Sequence, residues 1–349
     1  MGHGTSSAGR GFMRLDSPRF LMGGLLVLIV LVGGATNSAG GDGGPHRFEF
    51  HNLRMGTEFR LVIYGEEEER VQRGALEAFE RVEELEQIFS DFRTDSELSR
   101  VVPVARVRPK VVSPVLFHVL ERSLDFSRLT GGAFDVTVGP LVRLWRRCRE
   151  EGRLPESAEL EQARARVGYR RILLNRRTRS LRLTAPGMEL DLGGIAKGFA
   201  ADEALRVLQE RGLEASLVDA GGDLRLGDPP PGRTGWVVAL ADDLGGGGTL
   251  ELAQCAVATS GDRFQFIEID GVRYSHILDP ATGRGLPYHG EVTVVAPDAL
   301  TADALATGIS VLDMAAGVDL AERLDGVEVR ISRELGGRRR HARSSGFPP

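Results

Sequence analysis

Residues 191–202 combine two adjacent glycines with a lysine where a strand pattern passes into a helix pattern. Residues 188–191 alternate like a strand, and the apolar positions that follow the glycines recur at helical spacing. Gly193 and Gly194 let the backbone approach a ligand, and the free N–H groups and dipole of a helix start favour phosphate. Lys197 adds a movable positive charge. The stretch therefore predicts a phosphate site, although its local pattern equally fits an ordinary strand-to-helix turn with a solvated lysine.

A second candidate group lies in residues 274–283, where a strand ends in a turn preset by Pro280 and Gly283. His276 and Asp279 are then expected at the margin of a sheet. Imidazole titrates near neutral pH, so His276 is suited to position a phosphate or to act as an acid or base. A hydrogen-bonded strand histidine is the alternative.

Asp303 and Thr307 form a third candidate pair in the alanine-rich segment 301–307. Residues four apart share one face of a helix. A carboxylate beside a hydroxyl offers only oxygen ligands, which is the ligation that Mg²⁺ uses when substrate phosphates complete its octahedron. The pair predicts a magnesium site, and a helix-surface hydrogen bond is the alternative.

The periodicity of the chain predicts an α+β fold with largely antiparallel sheets flanked by helices. Residues 66–89 have a strongly amphipathic helix pattern, and a shorter helix is expected over 115–129. Residues 90–99 are expected to be a polar loop, and residues 131–140 a glycine-rich turn. Strands are expected at 47–51, 58–64, 172–174, 181–184, 188–192, 215–218, 236–241, 255–259, 264–270 and 291–296. The glycine turns between them favour antiparallel pairing.

Composition limits the function classes. The chain has 349 residues, of which 42% are hydrophobic and 27% charged, and this is typical of a globular protein. A formal net charge of −5 gives no electrostatic signature of nucleic-acid binding. Cys148 and Cys255 are too few and too far apart for a cysteine metal site, and they are expected to be two separate thiols or, in an exported protein, one disulfide.

The N-terminus has the pattern of a targeting segment. Three arginines precede the largely apolar run 20–32, which is shorter than the ~20 residues of a membrane span and fits a secretory signal. We expect a signal peptide or N-terminal anchor at 1–39, a linker at 40–46, a folded domain at 47–334 and a disordered basic tail at 335–349. The mature protein is then exported, to the periplasm or to the outer face of the inner membrane.

Eight motifs between Met55 and Leu312 resemble, in the same order, those of the FAD:protein FMN transferases, the ApbE family. They are residues 55–57, 96–99, 132–140, 191–202, 219–223, 259–262, 276–280 and 301–307. One such motif is weak evidence, but eight in the right order are very specific. The resemblance therefore favours the functional interpretation of each stretch over the ordinary structural one.

The resemblance implies an FAD cleft between two joined lobes. Positions that match flavin-binding residues of the family are Met55, Phe92, Ala133, Phe134, Asp135, Asp191, Lys197 and Ile277. Positions that match its metal ligands are Gly194 and Ala306, through their backbone, and the side chains of Asp303 and Thr307. The family commonly has tyrosine at Phe92, so ring stacking is kept while a hydroxyl hydrogen bond is lost. Some relatives have aspartate at Ala306, so this chain has one carboxylate fewer for Mg²⁺.

The resemblance also implies a reaction, in which the pyrophosphate of FAD is cleaved, FMN passes to a Ser or Thr hydroxyl of a partner protein, and AMP is released. Mg²⁺ at Asp303 would neutralise the pyrophosphate, and Lys197 with the helix amides would hold the departing charge. His276 is the candidate for handling the hydroxyl proton, with Asp262 and Asp279 as rivals.

The implied acceptor is an exported or membrane flavoprotein with a Ser/Thr-Gly-Ala-Ser/Thr type motif, which this chain itself lacks. Two alternatives remain, a metal-dependent FAD hydrolase and a non-enzymatic exported flavin-binding protein. A Rossmann dehydrogenase is disfavoured, because the glycines of residues 193–198 have the wrong spacing and the sheet pattern is antiparallel.

The short apolar run, followed by small residues, predicts that the mature protein is released from the membrane after export. Expressed in a bacterial host with its own N-terminus, the processed chain should begin close to Ala39 and stay in the soluble fraction after a carbonate wash. A membrane-bound product that retains residues 1–39 would instead establish an anchor.

Overall fold

The computed structural model describes residues 44–240, 244, 247–262, 266–269 and 272–348. The predicted targeting segment 1–39 and the first part of the predicted linker lie outside these residues. Within the described part of the chain, no helix is both long enough and apolar enough to cross a membrane.

The described residues form eight α-helices and fifteen strands. The helices are α1 (Glu68–Phe89), α2 (Glu97–Ala105), α3 (Pro114–Leu129), α4 (Gly139–Glu151), α5 (Ser157–Arg164), α6 (Ala196–Glu210), α7 (Ala299–Val311) and α8 (Met314–Ala321). The strands are β1 (His46–Arg54), β2 (Thr57–Gly65), β3 (Lys110–Val111), β4 (Ile172–Asn175), β5 (Ser180–Leu183), β6 (Ser216–Ala220), β7 (Asp223–Leu226), β8 (Trp236–Leu240), β9 (Gly248–Leu252), β10 (Ala256–Gly261), β11 (Phe266–Ile269), β12 (Val272–Ser275), β13 (His289–Ala296), β14 (Glu328–Leu335) and β15 (Arg338–Arg343).

Eight of the strands form one large sheet in the order β1-β2-β6-β7-β10-β13-β14-β15. Every neighbouring pair in it is antiparallel. Three smaller sheets, β3-β5-β4, β8-β9 and β11-β12, are also antiparallel. The predicted α+β class with largely antiparallel sheets is therefore confirmed, while the division into two lobes stays a prediction.

The large sheet buries both of its faces. On β2, Phe59, Leu61 and Ile63 enter the main core, which also contains residues of α1, α6 and α7. Val62 belongs to a second core on the other side, because successive side chains of a strand point to opposite faces. The β8–β9 hairpin closes this second core through Trp236.

The amphipathic pattern of residues 66–89 correctly predicts the buried face of α1. The predicted stripe consists of Ala75, Phe79, Val82, Leu85 and Phe89, and each of these side chains is at most 3% exposed. The apolar face of α1 packs on β1, β2 and α6. Periodicity therefore located this helix and its orientation.

Two helices lie where the sequence patterns predict a loop or a turn. α2 begins inside the predicted loop 90–99, and the side chain of Ser96 caps it by accepting a hydrogen bond from Ser99 N. α4 begins at Gly139, inside the predicted turn 131–140, and has Pro140 in its first turn, where proline is favoured. The predicted strand 188–192 makes only an isolated bridge to Val138.

Residues 335–348 fold onto the domain, in contrast to the predicted disordered tail. Gly336 and Gly337 have φ values of +58° and +72° and form the two-residue turn of the β14–β15 hairpin. Phe347 then packs into the second core with Trp236. All four arginines of β15 are exposed, because the strand pairs with β14 through its backbone and lies at the edge of the sheet.

Helices α6 and α7 cross at Gly198. A Cβ built on Gly198 would lie 2.1 Å from the carbonyl oxygen of Ala299 and 2.9 Å from Cβ of Asp303. Any side chain at this position would push the two helices apart. The crossing therefore requires glycine.

Gly198→Ala should lower the free energy of unfolding by about 1–3 kcal/mol, the usual cost of overpacking a core. Denaturant unfolding measures the effect. Gly248→Ala is the matched control, because nothing lies within 4 Å of its Cβ position. A Gly198→Ala variant as stable as the wild type would show that the helices have room to separate.

Candidate active site

The first turns of α6 and α7 are each capped by a carboxylate of the other helix. Asp303 of α7 accepts a hydrogen bond from Gly198 N of α6 at 3.1 Å. Asp202 of α6 accepts hydrogen bonds from Ala299 N and Leu300 N at the start of α7, both at 2.9 Å. A carboxylate at a helix start satisfies unpaired N–H groups and complements the helix dipole. The two caps therefore fix the first turn of α6 relative to α7.

Lys197 lies in this first turn, between two carboxylates. Its Nζ atom is 2.7 Å from Asp223 Oδ2 and 3.5 Å from Asp303 Oδ2. The two carboxylate side chains are 7% and 4% exposed, while that of Lys197 is 28% exposed. We call these three residues the charge cluster. Lys197 has the most exposed side chain of the three, so an anionic ligand would meet the cluster there.

The protonation of the charge cluster follows from burial and charge. Burial alone would lower the pKa of Lys197, but Asp223 and Asp303 outweigh this effect and raise that pKa, so the ammonium stays charged. Burial and the neighbouring Asp223 raise the pKa of Asp303, while Lys197 and the N–H of Gly198 oppose the rise. The cluster therefore presents a permanent cation held by two buried carboxyl groups.

An oxygen-rich group lies next to the charge cluster. Thr307 follows Asp303 by one helical turn, and its Oγ1 atom is 3.3 Å from Ser260 Oγ of β10. A Cβ built on Gly194 would lie 2.9 Å from Thr307 Oγ1, so the backbone of the glycine turn lies directly against this hydroxyl. The structure thus brings Gly194, Asp303 and Thr307 together, as expected for one site.

The donor set of this group suits Mg²⁺. In the part of the chain that the structure describes, no group of three or more His, Cys, Asp and Glu side chains could hold a metal. The available ligands are instead a carboxylate oxygen of Asp303 and the hydroxyls of Thr307 and Ser260. Mg²⁺ is commonly held by one or two carboxylates, with water and substrate phosphates as the other ligands. The carbonyl of Ala306, a predicted ligand, already accepts the Ser310 hydroxyl at 2.8 Å.

Phe92 forms an exposed aromatic platform that is connected to Asp191. Its side chain is 75% exposed, and the guanidinium of Arg146 lies 4.2 Å from the ring centroid. Arg146 also pairs with Asp91 at 2.9 Å and with Asp191 at 3.5 Å. Burial and the charge of Asp91 raise the pKa of Asp191. The hydrogen bond from the N–H of Gly193 and the charge of Arg146 oppose this rise. The exposed ring surface of Phe92 is available to a planar ligand.

The other predicted flavin-binding residues differ in accessibility. Met55 has φ +51° in the two-residue turn between β1 and β2 and is half-buried. Ala133 is half-buried, and Phe134 next to it is only 3% exposed. Both carboxylate oxygens of Asp135 accept hydrogen bonds from within the protein. Asp135 therefore organises the loop that carries it.

His276 is the most exposed of the three candidates for proton transfer. It lies in a bend after β12, and its predicted neighbour in the site, Ile277, is half-buried. Asp262 is 1% exposed and is held by Arg273 and His289. Asp279 accepts hydrogen bonds inside its own turn. The two rival carboxylates are therefore already engaged in structural hydrogen bonds.

Asp223, Ser260 and Arg146 belong to this site, although their sequence context does not single them out. Asp223 ends the glycine-turn motif 219–223, and that position after a tight turn is the signal that could have found it. Ser260 lies in a matched motif, but a lone serine in a strand has no distinctive pattern. Arg146 lies in α4, which was not predicted as a helix.

The fold and the site define an α+β protein with a charged, oxygen-rich site at a helix N-terminus, an arrangement suited to phosphate groups. Residues 55–331 match the model of the ApbE family. The chain therefore belongs to the ApbE family, and the resemblance of its motifs is confirmed.

Relatives and solved structures agree with this assignment. The chain is 34% identical over 326 residues to the FAD:protein FMN transferase of Treponema pallidum, covering 87% of this chain and 89% of that protein. It is 37% identical over 249 residues to that of Vibrio cholerae, covering 69% and 74%. The structure of the flavin transferase ApbE from Vibrio cholerae matches with a TM-score of 0.76 and 30% identity over 87% of this chain and 98% of that one. The ApbE protein of Thermotoga maritima matches with a TM-score of 0.77 and 33% identity over 86% and 98%.

Lys197→Met should lower the free energy of unfolding by about 3 kcal/mol, because it leaves Asp223 and Asp303 buried together without a counter-charge. The double variant Lys197→Met/Asp223→Asn should recover much of this loss, because only one of the two charges remains. Denaturant unfolding without FAD or metal measures both variants.

The control for this measurement is Arg176→Met, which removes an 86% exposed partner of Glu121 and should leave the free energy of unfolding close to that of the wild type. Equal losses of unfolding free energy in the single and double variants would contradict a coupled charge cluster.

Proposed function

We propose that the chain transfers FMN from FAD to a Ser or Thr hydroxyl of an exported or membrane flavoprotein, in a Mg²⁺-dependent reaction that releases AMP. Membership of the ApbE family supports an enzyme that transfers FMN from FAD to a protein. The observation that carries the finer proposal is the convergence of Lys197, Asp303 and Thr307 at the start of α6, where a pyrophosphate would be bound.

In this proposal, FAD places its flavin ring against Phe92 and its pyrophosphate beside Lys197. The Lys197 ammonium and the positive end of the α6 dipole hold negative charge on the phosphates without having to reorganise. Asp303 and Thr307, with Ser260, would hold Mg²⁺, which when bound neutralises charge on the pyrophosphate oxygens. The Asp303 cap keeps its side chain oriented toward α6.

The proposed transfer step forms one bond and breaks one. The acceptor hydroxyl oxygen attacks the phosphorus of the FMN half, and the bridging bond to the AMP half breaks, so that AMP leaves with the electron pair. The hydroxyl proton needs an acceptor, and His276 is our candidate because it is exposed and imidazole titrates near neutral pH. Since the nucleophile comes from the partner, this chain supplies positioning and charge.

The test incubates the purified full-length protein with FAD, Mg²⁺ and a small carrier domain that bears a Ser/Thr-Gly-Ala-Ser/Thr type motif. Transfer should place flavin fluorescence on the carrier band of a denaturing gel and release an equal amount of AMP. Free FMN with an unlabelled carrier would instead indicate the hydrolase. Intact FAD would indicate a flavin-binding protein.

Asp303→Ala should leave FAD bound but slow transfer by roughly 100-fold or more, because the Mg²⁺ that Asp303 would hold acts mainly on charge that develops in the transition state. Lys197→Ala should instead weaken FAD binding and slow transfer less, because the lysine charge contacts the phosphates in both the ground state and the transition state. Excess Mg²⁺ should partly rescue Asp303→Asn, which keeps one oxygen ligand, but not Lys197→Ala. Transfer rates against FAD and Mg²⁺ concentration measure these effects.

The matched control is Asp298→Ala, because Asp298 caps α7 through Thr301 N at 2.7 Å, as Asp303 caps α6, but supplies no oxygen to the site. This variant should lose stability and keep normal transfer per folded molecule. Full activity of Asp303→Ala in chelator-treated buffer would refute the metal assignment.

A further inference from the structure

Trp145 of α4 contacts both arms of the hairpin that carries His276, and we call residues 274–286 the histidine hairpin. The indole Nε1–H of Trp145 donates a hydrogen bond to the carbonyl oxygen of Gly283 at 2.8 Å. The centroid of its ring lies 5.6 Å from that of Tyr274. Tyr274 precedes His276 in the chain and Gly283 follows it. One side chain of α4 therefore holds the hairpin on either side of the histidine.

Hydrogen bonds between the two arms fix the backbone around His276. Ser275 N donates to the carbonyl oxygen of Leu286 at 3.0 Å, and Leu286 N donates to that of Ile277 at 3.1 Å. Because both neighbours of His276 bond to the same residue, the chain forms a bulge at the histidine. Bulges are common beside active sites, where they direct a side chain. The position of His276 therefore follows that of the opposite arm, which Trp145 holds.

The contact between α4 and the histidine hairpin is buried and tight. Trp145 is 8% exposed and belongs to a small core that also contains Leu141 of α4 and Leu278 of the hairpin. Gly283 has φ +73°, and a Cβ built on it would lie 2.9 Å from Leu141 Cδ2 and 3.1 Å from Leu160 Cδ1. A side chain at this position would therefore displace the hairpin from α4 and α5.

α4 also supports the aromatic platform of the site. Arg146, the residue after Trp145, pairs with Asp191 at 3.5 Å, and its guanidinium lies over the ring of Phe92. Consecutive side chains of a helix point about 100° apart, so the two residues contact different parts of the protein. α4 is therefore the common support of His276 and of the platform.

We propose that Trp145 is a positioning residue that sets the place of His276 relative to bound FAD. The inference rests on the proposed function, in which His276 receives the proton of the acceptor hydroxyl. Proton transfer needs the imidazole within hydrogen-bond distance of that hydroxyl, and a misplacement of ~1 Å can cost about 100-fold in rate. Apolar contacts hold the hairpin against α4, while the directional hydrogen bond of the indole fixes where on the helix it lies.

Trp145→Phe keeps an aromatic ring in the small core but removes the hydrogen bond to Gly283. In the carrier assay with FAD and Mg²⁺, the full-length variant should have a kcat for transfer about tenfold below that of the wild type. The Kd for FAD should stay within about threefold, because the charge cluster and the aromatic platform keep their contacts. Initial rates of carrier labelling give kcat, and a fluorescence titration gives the Kd.

The matched control is Trp236→Phe, at the other of the two tryptophans of the chain. Trp236 is 6% exposed, and its Nε1–H donates to the carbonyl oxygen of Asp228 at 2.9 Å in the second core. Each variant loses one buried indole hydrogen bond, so both should be destabilised alike in denaturant unfolding. Only Trp145→Phe should lose kcat, and equal kcat values in the two variants would overturn the inference.

A double-mutant cycle tests whether Trp145 acts through His276. A general base contributes about 10²–10⁴-fold, so His276→Ala should keep a slow transfer that carrier fluorescence detects after long incubation. In that background Trp145→Phe should have almost no further effect, because the imidazole through which it acts is gone. The same tenfold loss in both backgrounds would overturn the positioning role and leave the proposed function intact.

Gly283→Ala tests the histidine hairpin without a change in the indole. The added methyl group pushes the hairpin away from α4 and should lower kcat as Trp145→Phe does. Gly336→Ala is its control, because Gly336 also has a positive φ, +58°, but nothing lies within 4 Å of its Cβ position. A Gly283→Ala variant that folds and has the kcat of the wild type would contradict the need for this placement.

Two other outcomes concern the function on which the inference rests. A wild type that labels no carrier would overturn the proposed function and this inference together. A His276→Ala variant as active as the wild type would overturn the proton-transfer role of His276, and the positioning role of Trp145 with it.

Discussion

The mutual capping of α6 and α7 is the constraint on which the site depends. The first turns of both helices are packed against protein, where unpaired N–H groups would be costly. Asp303 and Asp202 satisfy those groups across the helix crossing, and Gly198 lets the two backbones come close enough for both bonds. A shift of either helix would break both caps, so the start of α6 is fixed.

Asp303 links this structural constraint to the chemistry of the site. Its carboxylate caps α6 and contacts Lys197, and Thr307 lies one turn further along the same helix. Asp223 holds Lys197 from the start of β7, so the helical layer and the sheet layer both position the ammonium. The charges that would meet a pyrophosphate are thus in place before the ligand arrives, which is the arrangement that stabilises developing charge most effectively.

The segment 188–191 joins this phosphate site to the surrounding surface. Asp191 contacts Arg146, whose guanidinium lies over the Phe92 ring, and Glu189 pairs with Arg106 and Arg143. Both carboxylates lie against α4, whose first turn packs so closely on Glu189 that a Cβ on Gly139 would come within 2.8 Å of it. One short stretch of backbone therefore sets the positions of the aromatic platform and of the arginines beside it.

The sequence by itself determined the elements whose signal is local and strong. The apolar stripe of α1 needs only periodicity, and the order of eight motifs is enough to identify the ApbE family. Ser96 before α2, Pro140 in α4 and the Gly336-Gly337 turn are also local signals, but the polar, glycine-rich or basic composition around them favours a loop, a turn or a disordered tail. Composition gives the average tendency of a segment to form a loop or to be disordered, whereas single residues decide whether a helix cap or a tight turn forms.

Only the tertiary structure decided which side chains meet. Lys197 is 26 residues from Asp223 and 106 residues from Asp303, and their contacts depend on the helix crossing and on the strand order of the large sheet. The inward hydrogen bonds of Asp135 and the ion pairs of Arg146 are set in the same way. Residue type and spacing specify what a side chain is able to do, but distances between remote segments arise from the packing of the whole core, to which every element contributes.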